Sequence, residues 1–157
     1  SAHRTLAHEF SSRRVKKTYI ALVHGWPQQD HGTISAAISR DAIRRTRMTT
    51  RRSGGREAVT HYDVERRIDS AYGKFTVLKL RIETGRTHQI RVHMQHMKHT
   101  LVGDPVYGSA PTRDWFARQA LHARELALVH PASGKTMSWQ AGLPPDMQTL
   151  LDSLEPA

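Results

Sequence analysis

The residues best suited to chemistry stand together in Thr84-Gly85-Arg86-Thr87-His88-Gln89-Ile90-Arg91-Val92-His93. Two arginines, two histidines, two threonines and a glutamine crowd one strand-to-helix junction. Backbone N–H groups at a helix start lack intrahelical acceptors and the dipole favours negative charge there, so such a junction suits an anion or a reacting group. At ~100° per residue, Ile90, Met94, Met97 and Leu101 form one apolar stripe of the helix, and His88, Arg91 and Gln95 lie on a different side. Taken singly, each arginine could equally be a solvated surface cation and each histidine a cap. Their density at one junction carries the functional reading.

Other chemistry is less well served. The sequence contains no Gly-rich phosphate loop and no serine nucleophile elbow. His88, His93, His96 and His99 lie close together, but without a carboxylate among them and without the His-Glu-x-x-His pattern, so no metal site is expected. Cysteine is absent, which excludes disulfides and thiolate metal sites and fits a reducing cytoplasm. No apolar run reaches the roughly 18–20 residues of a membrane helix. Lysine and arginine number 24 against 14 acidic residues, a net charge of +10 in 157 residues. That balance points to a polyanionic partner, most often nucleic acid. The length suits one domain, 1–157, with a real core.

The elements that must position the junction follow from periodicity. Residues Ala2 to Arg14 read as a helix that the chain enters without a capping sequence, a sign of truncation. Lys16 to Val23 is a strand, with Lys17 and Tyr19 on one face and Thr18, Ile20 and Leu22 on the other. Thr33 to Ile38 is a short strand. Arg40 to Arg56 has little apolar content and carries Arg44, Arg45, Arg47, Arg51 and Arg52. It is expected to be a long mobile loop whose single-sign charge contacts phosphates. Ala58 to Val64 and Phe75 to Ile82 form an antiparallel hairpin about the turn Ser70-Ala71-Tyr72-Gly73. In the second of these strands Thr76, Leu78, Leu80 and Ile82 face one way and Phe75, Val77, Lys79 and Arg81 the other. Leu101 to Gly108 is a loop, Glu125 to His130 and Thr136 to Gln140 are short strands, and Pro145 opens a last helix with Met147, Leu150, Leu151 and Leu154 on its apolar side. The fold class is mixed α/β, chiefly an antiparallel sheet with helices packed on it.

Gly85-Arg86-Thr87-His88-Gln89-Ile90-Arg91-Val92-His93, followed by His99-Thr100-Leu101-Val102-Gly103-Asp104-Pro105-Val106-Tyr107-Gly108, resembles the signature of the RluA/RluD-type pseudouridine synthases. Lys17 to Gly25, Glu57 to Tyr62, and Leu121-His122-Ala123 with His130-Pro131 match in the same order. The resemblance implies an isomerase that converts uridine to pseudouridine in structured RNA, ribosomal or transfer, in the cytoplasm and without metal or organic cofactor. It further implies that Tyr19 packs on the target base and serves in proton transfer, and that Arg91 pairs with a catalytic aspartate. Arg86, Thr87, His88 and Gln89, with Arg44, Arg45, Arg47, Arg51 and Arg52, are the expected RNA contacts.

The family's Arg-Leu-Asp motif, which carries the nucleophile, does not occur in these 157 residues. Asp30, Asp41, Asp63 and Asp104 do not match its position. The chain is therefore expected to be the C-terminal part of the catalytic domain, either a piece of a longer synthase or a truncated relative without the nucleophile, inactive alone, with Arg91 left to solvent or a bound anion. A non-catalytic RNA-binding module is the alternative.

Overall fold

The computed structural model describes residues 16–41, 48–51, 55–86, 88–108, 112, 115–116, 118–129 and 136–154. The expected helix over Ala2 to Arg14 lies outside these. Among the described residues there are eight strands: β1 (Lys16–His24), β2 (His31–Ser35), β3 (Ala37–Arg40), β4 (Met48–Arg51), β5 (Val59–Ser70), β6 (Gly73–Ile82), β7 (Leu121–Val129) and β8 (Thr136–Gln140). Two helices join them, α1 (Gln89–His96) and α2 (Pro145–Leu154). Six strands form one sheet in the order β2-β5-β6-β1-β7-β8, every neighbouring pair antiparallel. The fold is thus mixed α/β with a mostly antiparallel sheet and helices packed on it.

Alternation in β1 and β6 decides what each face buries, because successive side chains on a strand point oppositely. Ile20 and Leu22 with Phe75 and Val77 join Met147, Leu150, Leu151 and Leu154 of α2 in one core. Tyr19, Ala21 and Val23 with Leu78, Leu80 and Ile82 join Ile90 and Met94 of α1 in a second core on the opposite face. A smaller third cluster, Ile38, Ala58, Val92 and Tyr107, anchors the β3–β4 hairpin.

Five expectations need correction. The helix ends earlier than its apolar stripe suggests. Lys98 takes a left-handed φ of 67°, Lys98 N–H donates to the Gln95 carbonyl, and His99 N–H donates to the Met94 carbonyl. This is a Schellman closure with lysine where glycine is usual. Leu101 therefore lies beyond the helix, buried and bridged to Val23. The expected loop over Arg40 to Arg56 is partly a strand, since β4 pairs with β3 from Arg40↔Met48 to Ala37↔Arg51. Met48 N–H donates to the Tyr107 hydroxyl at 2.8 Å, and tertiary support of this kind overrides the poor local propensity. The single strand expected over Thr33 to Ile38 is two, since β2 pairs with β5 and β3 with β4. Strand β5 is also longer than expected, with a register shift between Val64 and Arg66, and one continuous β7 replaces the shorter strand expected there.

Candidate active site

Strand β6 delivers the chain to Glu83, and six residues later, at Gln89, α1 begins. No side chain caps this helix, and its N-cap residue His88 has φ 54°. Gln89 fixes the junction instead. Its Oε1 accepts from Thr84 Oγ1 (2.6 Å) and Arg86 N–H (3.1 Å). Its Nε2 donates to the Val59 carbonyl (2.9 Å) and to Thr60 Oγ1 (3.0 Å). Buried polar groups must be satisfied internally, and this amide is. Gln89 thus ties the turn to β5 and has no polar capacity left for an RNA, contrary to the role expected for it.

Two more side chains of the junction are held from below. Arg86 Nε donates to the Glu57 carbonyl at 2.7 Å. His88 Nδ1 lies 2.9 Å from the Tyr107 hydroxyl, which also accepts the Met48 N–H. Burial lowers the His88 pKa, Arg91's charge lowers it further, and Asp104 raises it in part. His88 is accordingly neutral at pH 7.

Arg91 projects one turn along α1. The structure overturns the expectation that it lacks an acidic partner. Its Nε donates to Asp104 Oδ2 at 2.9 Å and its Nη2 to Asp104 Oδ1 at 2.8 Å, a bidentate pair. Asp104 is wholly buried and the Arg91 side chain 12% exposed. Asp104 Oδ1 also accepts the N–H groups of Val106 and Tyr107 at 2.9 and 3.0 Å. Burial pushes the Asp104 pKa up. The Arg91 hydrogen bond, the two N–H donors and the guanidinium charge together outweigh it and hold the carboxyl below its ordinary value. The Tyr107 ring lies 5.2 Å from the guanidinium carbon, on the cation–π scale. Gly103 makes this loop possible: its φ is 77°, and a Cβ there would lie 2.5 Å from the Arg118 carbonyl oxygen.

Tyr19 sits on β1 opposite Leu80 of β6 and Ala123 of β7, half-buried. Burial raises its phenol pKa, so it carries its proton at neutral pH. Tyr19 and Arg91 line the same shallow cleft, together with Arg86, His88, Ile82 and Leu121. Its volume is about 130 Å³, the space of about four waters at roughly 30 Å³ each, the scale of one small ring. Larger hollows, about 400 Å³ between the sheet and α2 and about 740 Å³ beside the β3–β4 hairpin, are lined by neither Tyr19 nor Arg91. The cleft can grip a planar group between an aromatic ring and aliphatic walls, and offer it a phenol proton donor and a fixed guanidinium.

Of the other expected RNA contacts, Thr87, Arg44, Arg45, Arg47 and Arg52 lie outside the described residues, and Arg51 is described only as a strand position. The clustered histidines are spent in separate hydrogen bonds: His93 with Thr60 and the Ala36 carbonyl, His96 with Thr50, His99 with the His24 carbonyl. Among the described residues no three potential ligands converge on a metal position, and no helix is long and apolar enough to cross a membrane. Sequence reasoning set Asp104 aside as a mismatch to the nucleophile and missed its pairing with Arg91. The available signal was Asp-Pro followed by Val106 and Tyr107, an aspartate placed to accept the N–H groups of its own turn.

A family model described as RNA pseudouridylate synthase matches residues 1–96. An uncharacterised RNA pseudouridine synthase of Chloroflexus aurantiacus is 45% identical over 154 residues, 98% of this chain and 47% of that protein. Ribosomal large subunit pseudouridine synthase D of Escherichia coli is 43% identical over 163 residues, 96% of this chain and 48% of that protein. The chain thus spans about half the length of these curated relatives. Among solved structures, human RNA pseudouridylate synthase domain containing 1 superposes with a TM-score of 0.76 at 28% identity, covering 96% of this chain and 71% of that one.

Proposed function

The chain belongs to the RNA pseudouridylate synthase family, and from that premise we propose that it forms the base-holding part of a site that isomerises uridine to pseudouridine in structured RNA. Ribosomal RNA is the substrate class, as the name of the E. coli relative suggests, and the cytoplasm the place. The observation that carries the reading is the meeting of Tyr19 and Arg91 in one ring-sized cleft. A uridine must leave its stack before its ring can turn about the sugar. Tyr19 then holds the extruded base by stacking and keeps a proton to give. Arg91, charged at every working pH, keeps a neighbouring reacting carboxylate ionised.

That carboxylate is not supplied by these 157 residues. Arg67-Ile68-Asp69 comes within one change of Arg-Leu-Asp, but Asp69 pairs with Lys74 at the turn of the β5–β6 hairpin. Leu80, the β6 partner of Tyr19, is six residues further along, about 20 Å at roughly 3.3 Å per residue. Asp69 is therefore remote from the cleft. Asp104 is wholly buried and already paired with Arg91. The nucleophile of the proposed reaction belongs to an Arg-Leu-Asp segment outside this sequence. By itself the chain is an RNA-binding piece without turnover, its affinity dominated by phosphate contacts and steeply salt-dependent.

Tritium release from ribosomal RNA carrying 5-tritiated uridine tests this. The product of the complete reading frame should release tritium, and the 157-residue chain alone should release none. No release by the complete product from any ribosomal RNA would sink the enzyme reading. Release by the chain alone would show that the nucleophile lies within it.

A further inference from the structure

A guanidinium offers two edges to carboxylates, one made by Nε and one Nη, the other by the two Nη atoms. In Arg91 the first edge is taken by Asp104 through Nε and Nη2. Asp104 is fully buried while Arg91 keeps 12% of its side chain exposed and lines the cleft beside Tyr19. The accessible edge is therefore the one made by Nη1 and the second hydrogen of Nη2.

We propose that Asp104 is a positioning residue of the uridine-isomerising site: it clamps Arg91 by the inner edge and so presents the outer edge to the reacting carboxylate next to Tyr19. The proposal rests on the function proposed above. Arg91 is then a bridge between two carboxylates, one structural and one reactive.

Three features suit Asp104 to this role. Both of its oxygens are engaged by Arg91, and Oδ1 is also held by the Val106 and Tyr107 N–H groups, so the acid cannot swing. The Tyr107 ring lies against the guanidinium, and its hydroxyl links Met48 and His88, so the clamp is braced from β4 and from the start of α1. Gly103, whose left-handed φ glycine takes without strain, brings the aspartate close to α1. The clamp has an electrostatic consequence as well as a geometric one. Arg91 and ionised Asp104 together are neutral, so the reacting carboxylate receives oriented donors without facing an uncompensated cation. It stays ionised through hydrogen bonding and keeps more of its basicity than an unpaired arginine would leave it.

Asp104→Asn separates these effects from folding. The amide oxygen can still accept the turn N–H groups, but the charge and one acceptor for Arg91 are lost. In the complete reading-frame product, kcat for tritium release should fall about ten- to a hundredfold, the scale of a small misplacement at a reacting centre. The acid limb of the kcat profile should move to lower pH, because the reacting carboxylate now faces a net positive charge. Asp104→Glu should recover part of kcat and return the limb towards its original position. The charged and titratable groups facing this point are Arg86, His88 and Arg91 from the α1 end, Tyr19 from β1 and Tyr107 from the loop. Of these His88 is the group whose pKa burial lowers towards the acid limb, so the test is that the shift persists in a His88→Asn background, asparagine being tolerant of the left-handed φ at that position. If the parent protein turns over and Asp104→Asn leaves its kcat or its acid limb in place, the inference is overturned and the enzyme reading stands. If stability falls but turnover per folded molecule and the acid limb do not move, Asp104 is merely structural and the inference is again overturned. If the parent protein itself releases no tritium, the reading fails and the inference falls with it.

Discussion

Helix α2 covers one face of the sheet with Met147, Leu150, Leu151 and Leu154, and its core is aliphatic and aromatic. Helix α1 covers the other face with Ile90 and Met94, but it also buries Gln89 and His93 and sends Arg91 to the wholly buried Asp104. The apolar contacts of α2 gain from area, which is forgiving of geometry. The α1 face holds groups that are costly to bury unless every donor and acceptor is met, and they are met: Gln89 by Thr84, Arg86, Val59 and Thr60, His93 by Thr60 and Ala36. A satisfied polar network specifies one arrangement more strictly than an apolar core does. The cleft with Tyr19 and Arg91 lies on the strict face.

Substitutions can break this contrast. The largest effect expected is Arg91→Ala in the complete reading-frame product. It should lower tritium release by about a hundredfold or more, the scale of losing one preorganised donor at a reacting centre. Met147→Ala should leave turnover per folded molecule unchanged. Near-normal turnover of Arg91→Ala would remove the α1 face from the chemistry. Next comes Asp104→Ala, which leaves a mostly buried guanidinium and two turn N–H groups without their acceptor. Breaking a buried pair from one side costs about 3–5 kcal/mol, read in urea unfolding. Leu151→Ala on the α2 face removes packing alone and should cost about 2–4 kcal/mol. If Leu151→Ala proved the costlier of the two, the α1 network would not have the strictness argued for it.

The same contrast explains what could be read in advance. The apolar residues of α2 recur with helical spacing and all four are buried, so the helix and its inner side were legible. The faces of β1 and β6 followed from alternation. The end of α1 was not legible, because Met97 and Leu101 continue the apolar stripe while Lys98 turns left-handed in a place where glycine would have been the signal. The β3–β4 hairpin was hidden by its arginines, since its support comes from Tyr107, 59 residues from Met48. Tyr19 and Arg91 were found through the family resemblance to their motifs. Asp104 was missed because its partner lies 13 residues away across a loop, where no periodicity reports a contact. Spacing reports what area does. Satisfied polar pairs between distant segments leave a weaker trace.

The smallest effect concerns His93, inside α1, and is read by pH. Its Nε2 faces the Ala36 carbonyl and its Nδ1 faces Thr60 Oγ1, which also accepts from Gln89 Nε2. The consistent arrangement has a proton on Nε2 and the Thr60 hydroxyl donating to Nδ1. A second proton on Nδ1 would meet that hydroxyl head-on and force it to turn away. Burial lowers the His93 pKa, the Ala36 hydrogen bond raises it in part, and His96 lowers it further. Since the folded value lies below the ordinary 6.5, the unfolded chain binds the proton first as pH falls. The stabilisation is complete above about pH 6.5 and is lost as pH falls from there through the folded value. His24, on the α2 face, and His88 shift the same way, chiefly by burial, and add to the slope. Asp104, also depressed, acts only lower, below the ordinary carboxylate value of 3.8. Unfolding free energy should therefore be flat from pH 8 to 7 and decline below 6.5. His93→Phe should lower stability at pH 8 by about 1–3 kcal/mol, because Thr60 and the Ala36 carbonyl lose their partner. It should also make the decline shallower by up to one proton, about 1.4 kcal/mol per pH unit. Leu151→Ala should displace the curve without changing its slope. If His93→Phe leaves the slope intact, His24 and His88 carry the acid sensitivity and the interior of α1 is indifferent to pH.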